Sequence, residues 1–139
     1  MKALSIDNGV NINPLWTDRI AIALYPSAVK VTTPVATAAP ATVSSSLPAG
    51  HYFYAISAIG ALAEGILSDE VDATTDSTND AVGLTFDQQA GISEYRIYRG
   101  VASGEYTEVF VCKTDAGTFE DDGSHIALEK YYSWSASKQ

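Results

Sequence analysis

The chain has little with which to do covalent chemistry or to lock itself shut. A single cysteine, Cys112, excludes an internal disulfide, so the core must hold the fold, and this fits synthesis in a reducing cytosol. Two histidines, His51 and His125, are the whole imidazole supply. Nowhere do eighteen apolar residues run together, so no segment reads as a membrane-spanning helix and no membrane partner is expected. The opening Met1-Lys2-Ala3-Leu4-Ser5-Ile6-Asp7-Asn8 turns polar too early for the apolar stretch of a secretion signal. A cytosolic product, complete from its methionine, is the expectation. Basic residues are scarce as well, with 8 Lys and Arg against 17 Asp and Glu, for a net charge of −9. Residues 1–50 hold Lys2, Arg19 and Lys30 against Asp7 and Asp18, net +1, which leaves −10 for the rest. An acidic body repels phosphate backbones, so nucleic acid is a poor partner. The near-neutral first third is the part suited to press against another protein. Helical periodicity is missing too.

What is present is alternation. At 139 residues and 46% apolar, the chain is long enough for one domain with a real core and a short appendage. In Gly91-Ile92-Ser93-Glu94-Tyr95-Arg96-Ile97-Tyr98-Arg99-Gly100, residues Tyr95, Ile97 and Arg99 share one face of an extended segment, and Arg96 and Tyr98 the other. The segment His51 to Ile59 alternates with Tyr52, Tyr54, Ile56 and Ala58 on one side. Ile66 to Thr74, Val82 to Phe86, Tyr106 to Lys113, Thr118-Phe119 and Tyr131 to Ala136 read as further strands, separated by turns such as Thr75 to Asp80, Ser103-Gly104 and Asp115-Ala116-Gly117. Short strands with turns about every ten residues indicate an antiparallel sandwich. Its expected core is Tyr52, Tyr54, Ile56, Val82, Leu84, Phe86, Tyr95, Ile97, Val109 and Val111.

Upstream, residues 1–46 read as an arm and connector, and residues 47–139 as the sandwich. Arg19 to Tyr25 alternates until Pro26, as a strand or a short helix. The Thr-, Pro- and Ala-rich stretch 32–49 reads as an extended connector or an edge strand. Leu15 and Trp16 offer a bulky anchor, and Ile20, Ile22 and Leu24 an apolar edge. These five are the candidate partner-binding residues.

Several segments resemble a fibronectin type III domain. Leu47-Pro48-Ala49-Gly50-His51-Tyr52, followed by Tyr54, Ile56 and Ala58, is similar to that family's penultimate strand. The resemblance implies that Tyr52 is a corner tyrosine whose hydroxyl bonds back to nearby backbone. Ser68-Asp69-Glu70-Val71 resembles the lead-in to the last strand, Val82 to Phe86 the second, and Tyr95 and Ile97 the third. The chain order departs from the family, as in a circular permutation or as two truncated domains. One closed sandwich leaves fewer exposed edges. The fold class is therefore all-β, an antiparallel fibronectin type III-like (Ig-like) sandwich of permuted strand order with an extended N-terminal arm. Ala49 to Ala58, Ser68 to Val71, Tyr95 to Tyr106 and Thr118 to Gly123 together are similar to modules of tailed-bacteriophage virion proteins.

Chemistry is sparse. His51 and His125 lack companions at ligand spacing, and Cys112 has no advertised base, so surface and core roles are expected. Asp69-Glu70-Val71-Asp72 and Glu120-Asp121-Asp122 offer oxygens to calcium but lack the spacing of a dedicated loop, and solvated turns are the plainer reading. Gly100 to Gly104 lacks the lysine of a phosphate loop. Tyr95, Tyr98, Tyr106, Tyr131, Tyr132 and Trp134 would make a sugar platform only if outward-facing, and alternation sends half of them inward. The expectation is a protein without enzymatic activity, metal or other cofactor. The resemblance implies a virion structural protein made in the host cytoplasm, foremost a capsid decoration (cement) protein. Its partners would be the major capsid protein, other virion proteins and sister subunits in a homo-oligomer. A tail, neck or fibre-associated protein is the alternative within the virion, and a bacterial adhesion or carbohydrate-binding module the alternative outside it.

Overall fold

The alternating segments fold as strands within residues 27–128, the part of the chain that the computed structural model describes. They are β1 (Val35–Ala39), β2 (Gly50–Ala58), β3 (Val71–Thr75), β4 (Ala81–Thr85), β5 (Glu94–Gly100), β6 (Glu108–Lys113) and β7 (Thr118–Asp121). No helix occurs among the described residues. Every ladder is antiparallel, in two sheets ordered β1-β4-β7 and β3-β2-β5-β6. The two sheets pack face to face as an all-β, Ig-like sandwich. In such sandwiches the third, penultimate and last strands share one sheet, and the first, second and fifth the other. With β4 and β5 as second and third, and β2 and β3 as the last two, the spatial order is the family's while the chain order is permuted.

Between the sheets lie Tyr54, Ile56, Val82, Leu84, Tyr95, Ile97, Phe110 and Phe119, all buried. Each side chain of this size contributes roughly 1.5–3 kcal/mol when taken fully out of water. Phe86 sits one residue past β4, its ring 4.8 Å from that of Tyr95. Strand β6 is phased differently from the expectation. Phe110 and Cys112 face the inter-sheet core, while Val111 is only half-buried and Val109 packs on the opposite face of the sheet. Register explains this, because Phe110 stands opposite Ile97 and Cys112 opposite Tyr95, and directly opposed residues share a face. The strand expected over Ile66 to Thr74 is in the ladder only as Val71–Thr75.

That outer face is also covered. Ala55, Tyr98, Tyr106 and Val109 form a second buried cluster, joined by Phe53 and Leu67. Strand β2 is therefore apolar on both faces, which its uninterrupted run Tyr54-Ala55-Ile56 records. The stretch 32–49 supplies an edge strand, β1, paired with β4 from Val35↔Thr85 to Ala39↔Ala81. Upstream of it Val31 is buried in the core. The boundary expected at residue 46 thus falls inside the three-stranded sheet.

Candidate functional site

The residues on which the resemblance rests are brought together as partners of one another. Glu70 closes one such set. Its carboxylate accepts hydrogen bonds from Ser103 Oγ at 2.6 Å, Gly104 N at 2.7 Å and the Tyr106 hydroxyl at 2.7 Å. The tip of the β5–β6 hairpin is thereby held over the outer face of the four-stranded sheet. Gly100 permits the fold-back, since a Cβ there would lie 1.9 Å from the Glu105 carbonyl oxygen. Burial raises the Glu70 pKa, but the bonds from Ser103, Tyr106 and Gly104 together outweigh it and hold the carboxyl below its ordinary value. The same face carries a second carboxylate, Glu64, which accepts from Ser57 Oγ and the Tyr98 hydroxyl, each at 2.5 Å. Between them in sequence, Ser68 bonds to β2: its amide donates to Ile56 O, and its Oγ accepts from Ile56 N at 2.9 Å.

On the core side, Asp121 is fully buried. It accepts from the Tyr54 hydroxyl at 2.7 Å and from Arg99 Nη1 at 2.9 and 3.0 Å. Arg99 also pairs through Nη2 with Glu108, and its guanidinium lies over the Phe110 and Tyr52 rings, 4.9 and 5.7 Å from their centroids. Burial and the adjoining Asp121 carboxylate push the Tyr54 phenol far above its ordinary value, so it stays protonated and serves as a donor. The Tyr52 hydroxyl donates to Pro48 O at 2.8 Å, and Thr75 Oγ1 donates to the same carbonyl at 2.9 Å.

The remaining candidates are dispersed. His51 pairs with Asp72 at 2.7 Å on the surface, and His125 Nε2 lies 2.6 Å from Glu120 O with its ring against Phe119. Burial pushes the Cys112 thiol up to about 11, which suits a core side chain and not a nucleophile. The acidic segments are committed to the fold. Asp69 bonds Lys30 and Thr33, Asp72 bonds His51, Glu120 bonds Thr42, and Asp122 bonds Ser124. No group of three or more His, Cys, Asp or Glu placed for a metal ion occurs among the described residues. Tyr95, Tyr98 and Tyr106 are buried, so these three offer no sugar platform. Leu15, Trp16, Ile20, Ile22 and Leu24, and the strand expected over Tyr131 to Ala136, lie outside the described residues.

Sequence reasoning missed Glu64, Glu70 and Asp121 as bonded carboxylates. For Asp121 a signal existed: it stands two residues from Phe119 in one strand and therefore shares its inward face. What the assembly does chemically is hold a rigid sandwich together with charge-assisted hydrogen bonds. Compared with known proteins, the chain matches no family model, no curated protein and no solved structure.

Proposed function

We propose that this chain is a non-catalytic structural protein of a tailed-bacteriophage virion, foremost a capsid decoration protein. On this reading the sandwich projects from the particle and the N-terminal arm attaches it. One observation carries the reading. The four motifs that resemble phage virion modules bond to one another inside one sandwich, through Glu70 with Ser103 and Tyr106, and Asp121 with Arg99 and Tyr54. Motifs spent on internal bonding suit a display module better than a reactive centre, because the polar groups named here are already engaged with one another.

Charge supports the same arrangement. The acidic body of one subunit repels that of the next, which favours spaced projection, while the near-neutral arm meets no such barrier at a protein surface. Leu15 and Trp16 would anchor the arm, and Ile20, Ile22 and Leu24 would add a strand to a sheet edge of the major capsid protein or of a sister subunit. The virion is then the protein's location after its synthesis in the host cytoplasm.

Particles assembled with the full chain, imaged beside particles assembled with residues 1–26 deleted, test this. The truncation spares Val31, which belongs to the core. Density on the shell with the full chain, and its loss with the truncated one, is the expected result. Unchanged occupancy after truncation would move the attachment surface onto the sandwich. A protein that never copurifies with particles would end the virion reading.

A further inference from the structure

Residues 27–46 contain no acid; they carry Lys30, the hydroxyls of Thr32, Thr33, Thr37 and Thr42, and two prolines, Pro34 and Pro40. The surface beneath them is lined with carboxylates. Lys30 Nζ lies 2.9 Å from Asp69 Oδ1, and Thr33 Oγ1 donates to Asp69 Oδ2 at 3.3 Å. Thr32 Oγ1 donates to Asp87 at 3.1 Å, Ala41 N to Asp80 at 2.9 Å, and Thr42 Oγ1 to Glu120 at 2.5 Å. Gln89 takes both backbone groups of Val29. Val31, 1% exposed, is the segment's deepest apolar anchor, because β1 turns only the small, half-buried Ala36 and Ala38 toward the core.

Residues 46–123 close on themselves without residues 29–42. Leu47 N donates to Asp80 O at 2.8 Å. The chain leaving β7 touches the chain entering β2, since a Cβ on Gly123 (φ +81°) would lie 2.8 Å from Ser46 O. All of the four-stranded sheet, and β4 and β7 of the other, belong to this closed body. Residues 29–42 are tied to it covalently only through residues 43–45, so Thr42 and Ser46 stand roughly 14 Å apart when that stretch is fully extended.

We propose that the carboxylate-lined edge of β4 is a strand-accepting surface, filled interchangeably by a chain's own residues 29–42 or by the same residues of a second copy. Every bond named above forms equally well in either arrangement, because donor segment and acceptor surface are the same. Only the path of residues 43–45 differs, so mass action decides between a closed monomer and a strand-exchanged dimer. Charge selects this occupant, as acid-free donors meet acidic acceptors. The proposal stands apart from the virion reading and does not need it.

Cross-strand cysteines in the full chain test it. Thr37 and Gly83 are register partners. Thr37→Cys protein and Gly83→Cys protein are concentrated together, warmed, diluted and oxidised. A disulfide-linked dimer at least tenfold above that formed by either variant alone is the expected result, read by non-reducing electrophoresis and intact mass. The double variant T37C/G83C, oxidised when dilute, should close within one chain. A mixture no richer in dimer than the single variants, with the double variant closing normally, overturns the exchange. A double variant that fails to close overturns the β1–β4 pairing on which it rests.

Discussion

Asp121 joins the Arg99 guanidinium and the Tyr54 hydroxyl in the core. It is fully buried against Arg99, itself mostly buried, and against the Tyr54 hydroxyl. Asp121→Ala leaves the mostly buried Arg99 guanidinium with Glu108 as its one remaining carboxylate partner and should cost about 3–5 kcal/mol, whereas Tyr54→Phe leaves the ion pair intact and should cost about 1 kcal/mol. Urea unfolding at neutral pH measures both, and a Tyr54→Phe loss exceeding that of Asp121→Ala would dissolve the hierarchy. Glu70 gives a pH dependence whose sign follows from its shift. Its folded pKa lies below the unfolded value, so its contribution is fully present above the ordinary carboxylate range and is lost as pH falls through the folded value. Asp69, Asp76 and Asp122 are shifted in the same direction and add to the acid side. Unfolding midpoints should therefore drop between about pH 5 and pH 3, in the window set by ordinary carboxylate values. Glu70→Gln, which keeps an acceptor but no titrating group, should drop less steeply there. Parallel acid limbs for the two proteins would show that the hairpin-tip bonds contribute nothing to the linkage.

Strand β6 separates what the alternation of residues specifies from what pairing specifies. Glu108-Val109-Phe110-Val111-Cys112-Lys113 is apolar at both phases, so period two alone does not choose which side enters the core. The choice is made by register against β5, where Ile97 and Tyr95 face inward and draw Phe110 and Cys112 with them. Phe110→Ala should cost about 3–5 kcal/mol and Val111→Ala under about 1 kcal/mol, by chemical denaturation. The reverse order would mean that β6 sits in the other phase. Strands β2, β4 and β5 were legible because one face of each carries large residues at period two, in Tyr52-Tyr54-Ile56, Val82-Leu84 and Tyr95-Ile97. The outer cluster was not, because Ala55, Tyr98 and Val109 meet only through strand register, and Tyr106 joins them only once the hairpin tip folds back onto Glu70, a contact 36 residues apart in sequence. Strand β1 was half-legible: prolines and alanines allowed an edge strand, and only the ladder with β4 selects it over a loose connector.

For the whole molecule, the question is where the folded body begins. The expected boundary at residue 46 lies inside the Thr-, Pro- and Ala-rich stretch 32–49, which was read as a connector or an edge strand. A buried valine at position 31, a strand from Val35 to Ala39 and bonds from Val29, Lys30, Thr32 and Thr33 make residues 29–39 part of the sandwich. Two truncations distinguish an arm from a structural segment. Removing residues 1–26 takes away none of these contacts and should leave the unfolding midpoint within experimental scatter of the full chain. Removing residues 1–42 withdraws Val31, worth roughly 1.5–3 kcal/mol by burial alone, and uncovers the backbone of β4 as a new sheet edge. That protein should unfold at distinctly lower denaturant and self-associate through the open edge, as light scattering at rising concentration would record. If both truncations unfold with the full chain and remain monomeric, the body begins after residue 42 and β1 contributes nothing to holding it together.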